Sequence, residues 1–248
     1  METEIVIGRN PVLELIRSGR PVDKILIKSG PVEGSLKKIE AAAKDMGVTV
    51  VKTDKKRLDA LSGGGNHQGV AAYAAAHSYA EVDDILKAAS EKGEMPFIVV
   101  CDRICDPHNL GAIIRTANGA GAHGVIISRH ESAGLTAAAA KAAAGAVEFV
   151  PVARVTNIAK TLDNLKEKGV WVTGMAGEGE KNIYEADFTG PIAIVVGSEG
   201  SGISRLVKEK CDFLVKIPMA GEIESLNASV AAALSMYEVT RARNVRQM

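Results

Sequence analysis

The apolar and polar positions along the chain predict two regions, each built of alternating helices and strands. In the first region, apolar residues with the spacing of one helical face are followed by short apolar runs typical of strands. This alternation predicts helices over residues 11–18, 35–46 and 55–61 and strands over residues 24–28, 48–52 and 69–76. Residues 1–77 are therefore expected to form a small α/β domain.

A polar and acidic stretch separates this region from the rest of the chain. It covers residues 78–95, is punctuated by Gly and Pro, and contains one helix-like segment at residues 82–92. We interpret it as a linker, since a chain of 248 residues is long enough for two domains.

Residues 96–248 have a stronger pattern, in which continuous apolar strands alternate with helices. The predicted strands cover residues 97–101, 125–127, 147–152, 170–173, 192–196 and 213–217. The predicted helices cover residues 110–120, 136–145, 157–168, 204–210 and 226–243. This α/β pattern is typical of a parallel sheet with helices on both faces. In such sheets, ligands bind at the carboxyl ends of the strands.

The composition agrees with a folded chain and excludes several classes of protein. Apolar residues make up 46% and charged residues 24%, far from the composition of disordered chains. No segment is typical of a membrane span or a secretory signal peptide, so we expect a cytoplasmic protein without a membrane partner. The three cysteines are too few for a disulfide framework or an all-cysteine zinc site, and we expect them to be reduced and buried, with no metal bound.

A cluster of polar residues follows each of three predicted strands. The first cluster runs from Asp106 through Asn109 to Arg115. By itself it fits a Pro-containing turn in which Asn109 caps a helix that carries Arg115 on its surface. The apolar residues of this helix fall on one face, which leaves Asn109 and Arg115 free to face a ligand.

The other two clusters are a Gly-rich loop and the start of the last helix. Residues 197–202 read Gly-Ser-Glu-Gly-Ser-Gly, and glycines let a backbone approach a ligand closely. The loop could be only a flexible connection, but Glu199 is unusual among glycines. In the third cluster, one of Ser225, Asn227 and Ser229 suffices to cap the helix, so three polar side chains exceed what a helix start uses.

Together and in this order, the three clusters resemble the signature motifs of the TrmH branch of the SPOUT methyltransferase superfamily. The similar segments are Asp106-Pro-His-Asn109-Leu-Gly with Arg115-Thr-Ala, then Val196-Gly-Ser-Glu-Gly200, then Ile217-Pro-Met with Ser225-Leu-Asn-Ala-Ser229. The resemblance covers the whole chain, because Gly8-Arg-Asn-Pro-Val12 and His67-Gln-Gly-Val70 are similar to the start and end of the ribosomal-protein-like RNA-binding domain of many members. Among the members, the pattern is closest to the RlmB type.

The resemblance implies an enzyme that methylates a ribose 2′-hydroxyl of RNA with S-adenosylmethionine. The RlmB type implies a guanosine of large-subunit (23S) ribosomal RNA as the target, and the family implies a homodimer with a C-terminal trefoil knot. The cofactor would bind in the knot, against Gly197, Ser198, Ile217, Met219 and Leu226. Because only RNA carries the hydroxyl, RNA rather than DNA is the expected partner.

The resemblance also assigns roles to five polar residues. Asn109 and Glu199 would hold Arg115 or the ribose, while Ser225 and Asn227 would position RNA or cofactor. Arg115 would act on the 2′-hydroxyl beside an RNA phosphate. Because a guanidinium is effectively never deprotonated in proteins, we expect Arg115 to bind the phosphate and orient the hydroxyl.

Specificity for RNA is expected to come mainly from the first domain. The chain has 30 basic and 30 acidic residues, so its net charge indicates no nucleic-acid partner, although residues 1–77 hold a small excess of Lys and Arg. The candidate phosphate contacts are Arg9, Lys55, Lys56 and Arg57. Runs of charge are, however, more often solvated helix faces.

Several alternatives stay open at this point. A nicotinamide or nucleotide-triphosphate enzyme is disfavoured, because no Gly-x-Gly-x-x-Gly opens a helix and residues 174–181 only approximate a P-loop. A thiol nucleophile formed by Cys105 and His108 lacks an orienting acid. A transfer RNA 2′-O-methyltransferase and a non-catalytic RNA-binding or ribosome assembly protein are harder to separate from the main hypothesis.

Overall fold

The computed structural model describes residues 5–18, 20–31, 33–74, 78–223 and 225–245. The chain divides into two compact units. One unit consists of Met1–Ser78 and Gly134–Ala138, and the other of Tyr79–Ala133 and Ala139–Met248.

Within its described residues, the first unit contains a four-stranded sheet and three helices. In chain order its elements are β1 (Ile5–Ile7), α1 (Arg9–Arg17), β2 (Val22–Lys28), α2 (Ser35–Asp45), β3 (Thr49–Thr53), α3 (Lys55–Ser62) and β4 (Val70–Ala74). The strand order is β1-β4-β2-β3, in which β4 is antiparallel to both of its neighbours and β3 is parallel to β2. Apolar residues of α1, α2, β2 and β4 form its main core.

The second unit contains a seven-stranded parallel sheet. Its strands are β5 (Phe97–Asp102), β6 (Gly124–Ser128), β7 (Val152–Val155), β8 (Trp171–Met175), β9 (Lys181–Asn182), β10 (Ile192–Gly197) and β11 (Phe213–Lys216). The strand order is β7-β6-β5-β10-β8-β11-β9, and every pairing is parallel. The predicted α/β fold with a parallel sheet is therefore confirmed.

Six helices accompany this sheet in the described part of the chain. They are α4 (Val82–Glu91), α5 (Pro107–Gly119), α6 (Ala137–Ala143), α7 (Ile158–Glu167), α8 (Arg205–Lys208) and α9 (Ala228–Val245). Helices α5 and α9 pack on each other, and α9 also contacts β10. Helices α4 and α7 contribute Ile85 and Leu162 to a core cluster that includes Val100 and Val195 of the central strands.

Helix α4 lies within the stretch predicted as a linker. A reciprocal pair of hydrogen bonds between Glu81 and Asp84 caps its start. Its Ile85 is fully buried and approaches β6 so closely that a Cβ placed on Gly124 would lie 2.5 Å from the Ile85 side chain. The missing side chain at Gly124 thus lets this helix pack on the sheet.

One predicted strand is wrong, and two short strands were not predicted. Residues 147–152 begin instead as a 3-10 helix, Ala146–Glu148, and β7 starts only at Val152. Gly145 has a positive φ of 88°, and the amides of Glu148 and Phe149 bond back to residues 145 and 146, so this backbone is satisfied locally. The side chain of Phe149 is 77% exposed. The strands β1 and β9 have three and two residues, too few for a clear pattern.

None of the helices that the structure describes combines the length and the hydropathy needed to cross a lipid bilayer.

Candidate active site

Strands β5 and β10 bring the first two motifs side by side. In their parallel register, Gly197 pairs with Asp102, so both motifs start at the same edge of the sheet. The Asp102 side chain is buried, and its Oδ2 accepts a hydrogen bond of 2.6 Å from the backbone amide of Ser204. This bond ties the end of β5 to the segment that follows the Gly-rich loop. Neither residue was predicted to belong to the site, although a carboxylate at the end of an apolar strand was a signal.

Helix α5 is capped by Asp106 rather than by Asn109. The Asp106 carboxylate accepts a hydrogen bond from the amide of His108 at 2.9 Å. Pro107 occupies the first helical position, where a backbone N–H would have no partner within the helix, so the missing N–H of proline costs nothing. The interpretation of Asn109 as the cap is therefore wrong. Because Asp106 does the capping, the Asn109 side chain is available for other contacts in the first turn.

The Gly-rich loop folds back on itself tightly. Ser198 and Gly202 exchange two backbone hydrogen bonds, of 3.2 and 2.8 Å. A Cβ on Gly197 would lie 2.0 Å from the carbonyl carbon of Gly202, and Gly202 itself has a positive φ of 61°. Both positions thus require glycine, and the closed loop presents Glu199 near its tip.

Asn227 both caps α9 and joins the other two motifs. Its Oδ1 accepts from the amide of Ser229 at 2.9 Å and from the Ser229 hydroxyl at 2.6 Å. Its Nδ2 donates to Asn109 Oδ1 at 3.0 Å and to Glu199 Oε1. One side chain therefore performs the two functions that the sequence offered as alternatives.

The carboxylate of Glu199 is the point where the three motifs meet. Its Oε1 accepts from Asn109 Nδ2 at 3.1 Å, from Asn227 Nδ2, and from the amide of Ala228 at 3.4 Å. Asn109 and Glu199 are 90 residues apart in the chain, and Asn109 and Asn227 are 118 apart. We call Asn109, Glu199 and Asn227 the amide–carboxylate triad.

A cavity of about 160 Å³ lies beside this triad. Its apolar lining includes Met175, Val196 and Ala231. The five predicted cofactor contacts all line it, as do two of the predicted catalytic residues: Gly197, Ser198, Ile217, Met219, Leu226, Glu199 and Ser225. The sequence motifs thus converge on one pocket at the carboxyl ends of β8, β10 and β11.

Arg115 is not part of the triad. It lies on α5 with an exposed side chain and makes no hydrogen bond or ion pair with any residue that the structure describes. Glu199 and Asn109 are bonded to each other and to Asn227, so the structure does not show them holding Arg115. Ser225 is also exposed.

The cysteines only partly match the prediction. All three are free, Cys101 is buried and Cys211 is half-buried, but Cys105 is exposed. Burial raises the pKa of both the Cys101 and the Cys211 thiol to about 12. The Cys105 thiol contacts the carbonyl oxygens of Arg103 and Glu131 rather than His108, which argues against a thiol nucleophile.

Two further features concern a possible metal site and a possible phosphate site. Among the residues that the structure describes, no group of three or more His, Cys, Asp or Glu side chains is placed to hold a metal ion. The segment after β8 that approximates a P-loop leads into β9 rather than into a helix, so it lacks the helix N-terminus that such loops use to bind phosphates.

The fold and the site define an α/β domain with a ligand pocket between three joined motifs at the carboxyl edge of its sheet. Residues 96–237 match the SpoU rRNA Methylase family, and residues 5–80 match a domain described as RNA 2′-O ribose methyltransferase substrate binding. The chain belongs to the SpoU, or TrmH, family of S-adenosylmethionine-dependent RNA methyltransferases.

Individual relatives agree with this assignment over most of their length. The chain is 50% identical over 241 residues to YacO of Bacillus subtilis (strain 168), which is named as a TrmH family tRNA/rRNA methyltransferase, covering 97% of this chain and 96% of YacO. The SpoU methyltransferase AviRb from Streptomyces viridochromogenes, solved with the cofactor AdoMet, has a TM-score of 0.62 at 25% identity, covering 97% of this chain and 90% of AviRb. The TrmH/SpoU tRNA modifying enzyme of A. aeolicus has a TM-score of 0.57 at 30% identity, covering 62% and 78%.

Proposed function

We propose that this protein transfers the methyl group of S-adenosylmethionine to a ribose 2′-hydroxyl of RNA, in a guanosine of large-subunit (23S) ribosomal RNA. The observation that carries the proposal is the amide–carboxylate triad, which joins all three motifs beside the pocket. The description of the matched N-terminal domain, RNA 2′-O ribose methyltransferase substrate binding, supports the ribose hydroxyl as the acceptor.

The pocket beside the triad fits the chemistry of the cofactor. Its apolar side chains suit an adenine ring, and the backbone amides of Met219 and Leu226 donate to no residue that the structure describes. Gly197, Ser198 and Ile217 would complete the contacts. The volume of about 160 Å³ is below the roughly 300 Å³ of small ligand pockets, so part of the cofactor would project beyond it, towards the acceptor ribose.

Arg115 would bind the RNA phosphate next to the acceptor ribose. Because arginine side chains are effectively never deprotonated in proteins, this residue would orient the hydroxyl instead of accepting its proton. Two parallel N–H groups of arginine match two phosphate oxygens, whereas lysine offers one point charge. We therefore expect Arg115→Lys to lower the single-turnover rate of methyl transfer at least tenfold at saturating RNA. A rate close to that of the unaltered protein would contradict this role.

The polar side chains around the pocket would organise the acceptor. In the triad, Glu199 accepts three hydrogen bonds at one oxygen, which fixes Asn109 and Asn227 relative to the Gly-rich loop. Ser225 lines the pocket and is exposed, so its hydroxyl is available to RNA or cofactor. S-Adenosylmethionine supplies the methyl group, and alignment of the hydroxyl with it is the main task of these residues.

The protein is further proposed to act as a cytoplasmic homodimer. Helix α9 exposes Val230, Leu234 and Tyr237 at 46%, 44% and 54%, and their spacing of four and three residues puts them on one face of the helix. An apolar face of this kind beside the site suits a second copy of the chain. Light scattering at micromolar concentration should give the mass of two chains, and a monomer would contradict the proposal.

The experiment that tests the function is methyl transfer from labelled S-adenosylmethionine to separate pools of unmodified large-subunit ribosomal RNA, small-subunit ribosomal RNA and transfer RNA. We expect label in 2′-O-methylguanosine of the large-subunit pool. Label only in transfer RNA would keep the chemistry and replace the target, an alternative supported by the likeness to the A. aeolicus tRNA modifying enzyme. No label in any pool would favour a non-catalytic RNA-binding or assembly protein.

A further inference from the structure

The first unit contains a cavity lined by several charged side chains. Among the residues that the structure describes, all of these charged side chains are basic. The cavity has a volume of about 440 Å³, and its three charged residues are Arg9, Lys28 and Lys55. Lys28 ends β2, Lys55 begins α3 and Arg9 begins α1, so three separate elements bring the charges together. In a chain with equal numbers of acidic and basic residues, such a concentration of one sign indicates an anionic ligand.

The half-buried Arg9 side chain is held in place by two hydrogen bonds. Its Nε donates to the carbonyl oxygen of Gln68 at 3.0 Å, and its Nη1 donates to Ser35 Oγ at 3.3 Å. Two of its five N–H groups are therefore used by the protein, and the fixed guanidinium keeps the others for a ligand. The arginine fork is well suited to phosphate.

The loop that forms one wall of the cavity has an uncommon backbone. Gln68 has a positive φ of 50°, which is unfavourable for a residue with a long side chain. The amide of Gly69 donates to His67 Nδ1 at 2.9 Å, and His67 Nε2 contacts Asp59 Oδ1 at 2.9 Å. The Asp59 carboxylate is thus engaged by His67. Such local strain is typical of binding sites.

We propose that this cavity binds one unpaired nucleotide of the RNA substrate, with its phosphate on Arg9, Lys28 and Lys55. The inference rests on the proposed function, because it names the part of the RNA that the first unit recognises. A volume of about 440 Å³ exceeds what a phosphate needs and lies within the roughly 300–1,000 Å³ of small-ligand pockets. Proteins read RNA sequence mainly in unpaired segments, whose bases can leave the stack.

The cavity also offers groups that can recognise a base. Asn66 and Gln68 line it, and each uses its side-chain oxygen as an acceptor, from the amides of Gln68 and Arg9 respectively. Their side-chain NH₂ groups donate to no residue that the structure describes. Two amide donors fit carbonyl oxygens or ring nitrogens on the edge of a base. The cationic groups would thus hold the backbone while the amides contact the base.

The test compares two double variants of the full-length protein that remove the same charge. Lys28→Ala with Lys55→Ala removes both lysines of the cavity. The control is Arg17→Ala with Lys44→Ala, since both residues are exposed, do not line the cavity and are not among the candidate phosphate contacts. Binding to unmodified large-subunit ribosomal RNA is measured between 50 and 200 mM salt. We expect the first variant to bind at least fivefold more weakly, with a salt slope smaller by about 0.7, as for one lost single-strand phosphate contact. The control should keep both values.

Two further readouts identify the ligand. RNA should protect Lys28 and Lys55 of the unaltered protein from acetylation but leave Lys44 reactive, and an unpaired 12-nucleotide RNA should compete better than the same sequence in a duplex. Equal binding by the two double variants would overturn the proposal, as would equal competition by the duplex. Methyl transfer is measured in parallel: its absence from every RNA pool would refute the proposed function but would leave the binding comparison readable.

Discussion

Gly197 gives the sharpest test of the site, because its missing side chain makes room for the loop that forms the pocket. A Cβ at this position would lie 2.0 Å from the carbonyl carbon of Gly202 and 2.2 Å from its oxygen. Ordinary carbon contacts need about 3.5–4.0 Å, so the loop backbone would have to move by more than 1 Å. Overpacking of this kind costs about 1–3 kcal/mol. For a chain of this length, we expect Gly197→Ala to lower Tm by about 2–12 °C.

The same displacement should weaken cofactor binding, since Gly197, Ser198 and Gly202 all line the pocket. Calorimetry with S-adenosylmethionine is expected to show at least a tenfold higher Kd, which corresponds to about 1.4 kcal/mol. Gly200→Ala in the same loop is the matched control, because a Cβ there would meet nothing within 4 Å. Its Tm should change little, as for most surface substitutions.

If Gly197→Ala bound S-adenosylmethionine like the unaltered protein at an unchanged Tm, the tight loop would not be what shapes the pocket. If Gly200→Ala caused an equal loss, the effect would belong to loop flexibility in general and not to the contact with Gly202.

Three further predictions concern other parts of the molecule. Asn227→Ser should keep the α9 cap but lose the donor to Glu199, so methyl transfer should fall at unchanged Tm. Asn227→Ala should also lower the free energy of unfolding in urea by about 1 kcal/mol, because it removes the cap. Equal stabilities of the two variants would contradict the capping role. Burial lowers the pKa of His123, and the opposing effect of Glu94 is smaller. As the pH falls, the imidazole is therefore protonated in the unfolded chain before it is protonated in the folded protein, so the free energy of unfolding should decrease below about pH 6.5. Urea unfolding at pH 7.0 and 5.5 should show a smaller loss for His123→Asn, and parallel losses would exclude the histidine as the cause. Thiol titration of the folded protein at pH 8 should modify Cys105 alone, because Cys101 and Cys211 are less accessible and have thiols with raised pKa values. Modification of a second thiol would contradict this reasoning.

Much of the fold could be predicted, because its strands and helices have strong periodic patterns. Strands β5 and β10 are almost entirely buried, so they appear in the sequence as continuous apolar runs of the type found inside parallel sheets. The incorrect strand at residues 147–152 shows the limit of that signal. An apolar run does not reveal that Phe149 faces solvent, which depends on the 3-10 turn after Gly145. The trefoil knot that the resemblance implies stays a prediction.

The pocket was predicted more completely than the bonding within it. Each residue predicted to contact the cofactor lies in one of the motifs, and the sheet brings those motifs together at one edge. Which side chains bond to each other depends on distances of a few tenths of an ångström between loops, which no spacing along the chain encodes. For this reason the sequence did not predict that Asn227, rather than Arg115, is the partner of Glu199.

The double use of Asn227 explains why a helix cap and a site residue could not be told apart in the sequence. A capping side chain must accept backbone N–H groups, and the amide of asparagine does this with its oxygen alone. Its nitrogen is then fixed at the N-terminus of α9, where it donates to Glu199. The carboxylate of Glu199 also accepts from the Ala228 amide at the start of the same helix, where a negative charge is favourable. The start of α9 therefore holds Glu199 through two hydrogen bonds, one from the Asn227 side chain and one from the Ala228 amide.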